Sequence, residues 1–370
     1  MSYRSIDELQ KTLSLDVFEH TNDAKKAAGR ALGTIVEIIT YYLLNEWELT
    51  SSVSIERGIE EYGNAEITHN VEFSIHPVSS KQIISIDDFE KKISVSKIAR
   101  QLKLTSDFII KNKCLIENGS VRNACVVAEN DDKMVVAQLQ NIEETKVNVN
   151  VAYQSKKPYV MFECKRVGVE EGAKKGPQTI EKAKQGAYVA KTISALQKVR
   201  GEKGEVLGLI YDNGQPIIKP YFELLNEIIS EKDTIPTSFM LSVGVVSNHG
   251  NWFTADNQNK ELKVLAQSYD WLLFLSDDGL AQFITDLLLM PQEEYKAIRK
   301  AFLASYKKDK KYNVFTKVRM DLEAHNALIN YFHKNSEHIE QWFNVISPRS
   351  GTIQDLKNNL NKIIFKINKL

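Results

Sequence analysis

The chain has 370 residues, of which 43% are hydrophobic and 26% charged. That composition belongs to a globular protein and excludes an intrinsically disordered one. Its 48 basic residues balance its 48 acidic ones, which excludes a histone-like cationic coat but leaves room for a local basic cleft. The longest apolar runs, ITYYLL at 39–44 and WLLFL at 271–275, fall far short of the ~20 residues of a membrane helix. The first ten residues lack a signal peptide's apolar segment. Cys114, Cys125 and Cys164 have no CxxC spacing, which argues against a disulfide framework or a structural zinc site. The expected setting is a reducing cytoplasm, with no membrane.

Ser5 and Glu8 form a plausible capping box for a short first helix. A longer helix is predicted after Thr21-Asn22-Asp23, running to about Trp47, with Ala28, Leu32, Ile35, Val36, Ile39 and Leu43 at helical spacing. Gly29, Gly33 and Glu37 form a separate stripe of small residues next to one acid, which admits a neighbouring backbone; the alternative is a solvated Glu on a packed helix. Residues 65–78 alternate as a strand. Residues 87–120 read as helical, and ISVSKIARQLKLTSDFII resembles a helix-turn-helix with Ser96 as cap and Lys103 in place of the usual turn glycine; a helical pair without DNA contact is the alternative.

KVNVNVAY (146–153) alternates at period two, QSKK reads as a turn, and PYVMFECKRV (158–167) as the returning strand. A loop follows, then a helix that opens near Pro177 and runs to about Val199. Residues 205–211 read as a buried strand and Asp212-Asn213-Gly214 as a turn. A helix over 220–231, a strand over 238–247 and mostly helix from about 260 complete the pattern. The last helix carries Ile353, Leu356, Leu360, Ile363, Ile364 and Ile367 on one face. The order implies an α/β or α+β core with additional helical segments. The boundaries expected are 1–85 for N-terminal helices and a first strand, 86–145 for a helical insertion, 146–255 for the core and 256–370 for a helical C-terminal region.

In a hairpin turning at Ser155-Lys156, residue 148 would face 163 and residue 150 would face 161. Asn148, Asn150, Glu163 and Lys165 would then share one face, and Val147, Val149, Val151, Phe162 and Cys164 the other. An acid beside a lysine on a rigid strand suits phosphodiester hydrolysis. Carboxylate oxygen holds Mg²⁺, the metal polarises phosphate and acidifies water, and the lysine orients that water or offsets developing charge. The bland alternative is a salt bridge along one strand.

E-C-K at the end of an apolar strand, with a hairpin before it and a loop and helix after it, resembles the PD-(D/E)xK nuclease superfamily. FECKRVGVEEGAKKGPQTIEKAKQGAYVA most resembles a type II restriction endonuclease, over about 146–200. The resemblance implies a restriction-endonuclease-like core, an α/β fold with a mixed central β-sheet flanked by helices, with Glu163 as metal ligand, Lys165 as catalytic lysine and the Cys164 carbonyl completing the metal shell. Glu37 resembles the acid many members supply from an N-terminal helix. Gln185 and Tyr188 resemble a Gln and a Tyr that some members aim at the site or the DNA backbone; core packing is the alternative for Tyr188.

The family pattern also has an aspartate some 10–20 residues before the Glu, on the paired strand. Here Asn150 stands at that place as metal-position residue, with Asn148 second. Three readings follow: an inactivated Asp→Asn variant at 150, another acid such as Glu37 in the missing role, or a naturally inactive relative.

Charge clusters locally. Lys165–Arg200 holds nine basic and three acidic residues, and Lys296–Arg319 nine basic and one acidic. Expected DNA contacts are Lys174, Lys175 and Gln178 in the loop after the E-x-K strand, Gln185 beyond it, and Lys307, Lys308, Lys310 and Lys311 in SYKKDKKY, although a lysine run of that kind is more often a solvated loop. His325, His333 and His338 lack ligand spacing and read as surface or interface residues. No nucleotide-binding glycine motif, H-E-x-x-H or G-x-S-x-G is present. The function implied is a Mg²⁺-dependent, sequence-specific double-stranded DNA endonuclease, acting as a homodimer beside a cognate DNA methyltransferase. A non-catalytic or modification-dependent DNA-binding protein of the same fold is the alternative.

Overall fold

A computed structural model describes residues 6–18, 24–59, 62, 64, 67, 70–87, 92–143, 146–167, 183–248, 260–306 and 313–369. The chain opens with helices α1 (Ile6–Asp16) and α2 (Ala24–Glu46). The central sheet takes its strands from distant parts of the chain: β1 (Val53–Arg57), β2 (Val71–Ile75), β11 (Val160–Val167), β15 (Leu241–Asn248), β16 (Trp271–Leu275) and β18 (Phe343–Ser347), in that spatial order. β11, β15 and β16 run parallel; β1, β2 and β18 are antiparallel to their neighbours. The fold is therefore mixed α/β, a mixed central sheet flanked by helices.

Helix α2 is long and apolar enough to cross a membrane by length and composition, but 67% of its most apolar window is buried inside the fold. It is the core helix against β11. Cys164 Sγ lies 3.4 Å from Thr40 Oγ1, and the Arg166 guanidinium donates to the Gly29 carbonyl at 2.9 Å. Among the described residues no second backbone approaches the Gly29–Gly33 stripe: side chains of Gln10 and Arg166 meet Gly29, and nothing lies within 4 Å of a Cβ on Gly33.

The segment between β2 and β11 is mostly strand, and the expected helical 86–145 is corrected. It contains β3 (Val78–Ile86), β4 (Lys92–Ser94), α3 (Val95–Leu102), β5 (Ile109–Ile110), β6 (Cys114–Glu117), β7 (Ser120–Arg122), β8 (Cys125–Glu129), β9 (Lys133–Glu143) and β10 (Lys146–Ser155). One sheet runs β3-β10-β9-β8-β5, and a second joins β4, β6 and β7 to β17 (Arg319–Asp321). Val-Val-Ala and Ile-Ile runs with little helical period favour strands here. No helix-turn-helix forms: α3 is capped by Ser94, not Ser96, and Lys103 ends it in the left-handed region at φ 52°.

The expected hairpin of 146–153 with 158–167 does not exist. Both strands form, but β10 pairs with β3 and β9, while β11 pairs with β2 and β15. The burial patterns carry the reason. β10 alternates buried and half-buried, as a strand with one solvated face does, whereas Val160–Cys164 of β11 is buried throughout. A continuously buried strand is the inner strand of a sheet covered on both faces.

After β11 come α4 (Gln185–Ile193), a three-stranded sheet of β12 (Gln197–Arg200), β13 (Val206–Asp212) and β14 (Gln215–Pro220), and α5 (Tyr221–Asn226). The helix expected to reach Val199 stops at Ile193, and Gln197–Arg200 pairs with β13 instead. Asn213 and Gly214 take positive φ of 49° and 79° at the β13–β14 turn, as a two-residue hairpin loop requires. The C-terminal part holds α6 (Lys260–Ser268), α7 (Asp277–Ile284), α8 (Lys296–Ser305), α9 (Leu322–Lys334), α10 (Ser336–Glu340) and α11 (Ile353–Ile367). Leu356, Leu360, Ile363 and Ile367 form the buried stripe of α11. His325 is not a surface residue: it is buried, with Nδ1 2.8 Å from the Tyr42 hydroxyl.

Candidate active site

β2 and β11 pair through Val160–Ile75, Met161–Ser74 and Phe162–Phe73, where the ladder ends. The next residue on each strand is an acid, Glu163 on β11 and Glu72 on β2, so the two leave the ladder side by side. Alternation turns Phe162 and Phe73 into the core and both glutamates to the other face. Lys165, two residues on, shares that face: its ammonium lies 2.7 Å from Glu163 Oε1 and 3.5 Å from Glu72 Oε1. The expected placement of Glu163 and Lys165 on one face, with Cys164 buried on the other, holds.

Two further acids complete the cluster around a second lysine. Lys317 is 3% exposed and its ammonium contacts three carboxylates: Glu37 Oε2 at 2.9 Å, Glu56 Oε1 at 3.1 Å and Glu72 Oε2. Glu37 comes from α2. Glu56 faces Glu72 across the β1–β2 ladder, between the pairs Ile55–Phe73 and Arg57–Val71. Its φ of 50° is left-handed, a costly conformation for a non-glycine residue that tends to mark functional sites. Lys317 sits in a turn closed by mutual Thr316–Arg319 hydrogen bonds, and Asn123 clamps that turn by donating to the carbonyls of Lys317 and Val318. Burial pushes the Glu37 carboxyl above the usual carboxylate range, against the pull of the Lys317 and Lys165 ammoniums.

The back of the site is equally tight. Gly186 of α4 rests on Glu163, and Gly244, the register partner of Glu163 on β15, leaves room for the Tyr269 ring at 2.8 Å from where its Cβ would be. The Tyr269 hydroxyl donates to the Ala183 carbonyl at 2.7 Å, anchoring the chain just before α4. Burial of the Cys164 thiol raises its pKa and keeps it neutral, so only its backbone carbonyl, between Glu163 and Lys165, has polar potential at the site.

Asn150 takes no part in this cluster, which corrects its assignment as catalytic and metal residue. It lies on the other sheet, donates to Ser51 Oγ at 3.1 Å, and lines a separate cavity. Asn148 accepts from Ser85 Oγ. The acid on the strand that pairs with β11 is Glu72, about 90 residues before Glu163 rather than 10–20. Glu72, Glu56 and Lys317 escape the sequence reading. For Glu72 the signal was present: an acid between Val71 and Phe73 in the strand that precedes the inserted sheets. Lys317 sits within the basic Lys296–Arg319 stretch and has no local mark.

Of the expected DNA contacts, Lys174, Lys175, Gln178, Lys307, Lys308, Lys310 and Lys311 lie outside the described residues. Gln185 is exposed at the start of α4, and Tyr188, half exposed on the same helix, is not core. No family model, curated protein or solved structure matches this chain.

Proposed function

We propose that this chain is a Mg²⁺-dependent, sequence-specific double-stranded DNA endonuclease of the type II restriction kind, with a restriction-endonuclease-like core. One observation carries the reading: Lys165 stands between Glu163 on its own strand and Glu72 on the antiparallel neighbour. The resemblance demands that acid–acid–lysine set, and its first acid was missing from the sequence reading. Helix α2 with Glu37, strands β1, β2 and β11, helix α4 and the parallel strand β15 follow in an order consistent with such a core. A homodimer, with one subunit per DNA strand, and a cognate methyltransferase belong to the same proposal.

The donor set is all oxygen, carboxylates and one backbone carbonyl, the chemistry that a hard divalent cation takes. Among the described residues no three histidine, cysteine or acidic side chains stand in metal-holding geometry; the carboxylates are gathered on ammonium groups instead. Turned from those ammonium groups toward an ion, Glu72 and Glu163, with Glu37 and the Cys164 carbonyl, would be the residues to hold it. Bound there, Mg²⁺ would polarise the scissile phosphate and acidify a water. Lys165, fixed by two carboxylates, orients the attacking water and offsets the charge that develops on phosphorus-bound oxygens. Lys317 offsets the mutual repulsion of Glu37, Glu56 and Glu72, which would otherwise repel the phosphate as well.

The test is plasmid DNA of mixed sequence with Mg²⁺, cut by the wild-type chain and by Glu163→Gln. Discrete fragments from the wild type, absent with the variant or EDTA, are expected. A smear would mean hydrolysis without sequence specificity, and cutting of methylated DNA alone a modification-dependent enzyme. A second reading, a DNA-binding protein without catalysis, draws on Lys317: a protein cation already fills the point where three acids converge. Intact DNA from several sources, retarded on a gel by the wild-type chain, would decide for it.

A further inference from the structure

Helix α4 separates the carboxylate cluster from a cavity of about 620 Å³. Gly186 faces Glu163, whereas Lys184 at the N-cap of α4 and Tyr188 and Lys191, four and seven residues further on, line the cavity. Lys198 and Arg200 of β12 line it from across the space. Among the described residues the one acid in the wall is Asp270, and its charge is already engaged. It accepts from the Tyr221 hydroxyl at 2.5 Å and from the Ser242 amide and hydroxyl at 2.8 and 2.9 Å, and it pairs with Lys198 at 3.3 Å. Lys198 is thus the neutralised half of a buried pair, with a further bond to the Tyr269 carbonyl.

Lys191 and Arg200 are different. Both are exposed. Among the described residues no acid pairs with either, and the Arg200 guanidinium donates only to neutral oxygens, Gly204 O and Gln267 Oε1. A smaller cavity of about 440 Å³ adjoins across Lys198 and Tyr221 and adds Lys263 and Arg349. The combined space has the size of a small-molecule site, an apolar and aromatic wall and, among the described residues, a surplus of positive charge at its rim. That combination selects a ligand with a flat aromatic part and an anionic part.

We propose that this cavity binds a nucleotide, with its phosphate between Lys191 and Arg200 and its base against Tyr188. Aromatic side chains accept any base by stacking, and cations hold the phosphate without reading sequence. The ligand could be a free nucleotide or one unstacked from a DNA strand, since the chemistry presented is the same. The proposal does not rest on the hydrolytic reading, because a nucleotide would bind here whether or not the chain cuts DNA.

The experiment is calorimetric titration of the full chain, as Glu163→Gln so that nothing is cut, with 5′-dAMP, deoxyadenosine, inorganic phosphate and a single-stranded oligonucleotide. Expected are binding of dAMP at least tenfold tighter than of phosphate or nucleoside, and a loss of at least tenfold in Lys191→Glu and in Arg200→Glu. Both variants change exposed side chains, and unchanged melting temperatures would show that they fold. Tyr188→Ala should weaken dAMP while leaving phosphate alone. Binding of the oligonucleotide but not of dAMP, with the same sensitivity to the variants, assigns the site to a DNA strand. Phosphate binding as tightly as dAMP, no binding of either nucleotide form, or binding indifferent to Lys191 and Arg200 overturns the proposal. Nucleotide binding by a wild-type chain that cuts no DNA would sink only the nuclease reading, and cleavage without nucleotide binding only this one.

Discussion

A Cβ placed on Gly186 would stand 2.6 Å from the Cβ of Glu163 and 2.8 Å from Met161 Cε. Glu163 Cβ is fixed to an inner strand and cannot yield, so Gly186→Ala has to lift α4 from β11. Overpacking of this kind costs roughly 1–3 kcal/mol, and it moves the carboxylate that Lys165 holds. The expected outcome in urea unfolding is a lower midpoint, and in a cleavage assay a loss of at least tenfold. Gly33→Ala is the control. Nothing lies within 4 Å of its Cβ position in the middle of α2, and replacing a helical glycine should stabilise by about 0.5–1 kcal/mol.

Glu72→Gln should abolish DNA cleavage, because it removes the acid beside Glu163 while keeping shape. Asn150→Asp should neither raise nor lower it, since Asn150 belongs to the other sheet and hydrogen-bonds Ser51. Cleavage rates of the two variants on one plasmid decide the matter. Activity that depended on the residue at 150 and ignored the one at 72 would refute the site drawn here.

Lys317→Met leaves three glutamates without their shared cation. Removing one partner of a buried ion pair costs about 3–5 kcal/mol, so the melting temperature should fall markedly. If the acids form a cation site, millimolar Mg²⁺ should restore part of the loss in the variant, EDTA should reverse that gain, and wild type should respond less. Thermal melts with and without Mg²⁺ read this directly; a variant indifferent to Mg²⁺ would mean that these carboxylates do not take the ion.

Two buried histidines set an acid limit. Burial lowers His76 from 6.5 to about 3 and His325 from 6.5 to about 4. Both are neutral in the fold but take a proton near pH 6.5 once unfolded. Their depressed folded pKa means that the unfolded chain binds more protons between those values. Stability is therefore complete above about pH 6.5 and falls as pH drops. Each histidine contributes a loss of roughly 2 kcal/mol between pH 6.5 and 5. Urea midpoints measured across that range should fall, and His325→Gln should flatten the slope; an unchanged slope would mean that His325 titrates in the fold.

Much of the local structure was legible in the sequence. Helical spacing placed α2 and α11, period-two alternation placed β10, and the apolar run that ends in E-C-K placed β11. The same alternation set Glu163 and Lys165 on one face with Cys164 behind them. Those features depend on residues a few positions apart, where the geometry of a helix or strand is fixed by the backbone itself.

Only the tertiary structure decided which strands meet. Alternation tells which way a side chain points, not which strand lies beside it, and two strands joined by a short turn need not pair. β10 and β11 separate because β11 is buried on both faces and requires a neighbour on each side. Once β2 takes one side, the acid next to Glu163 is Glu72 and not Asn150. Lys317 reaches Glu37 across 280 residues of chain, a contact with no periodicity to betray it. The sequence by itself determined the kinds of residue and the faces on which they stand; the pairing of β2 with β11 and the turn that carries Lys317 determined that four acids and two lysines form one site.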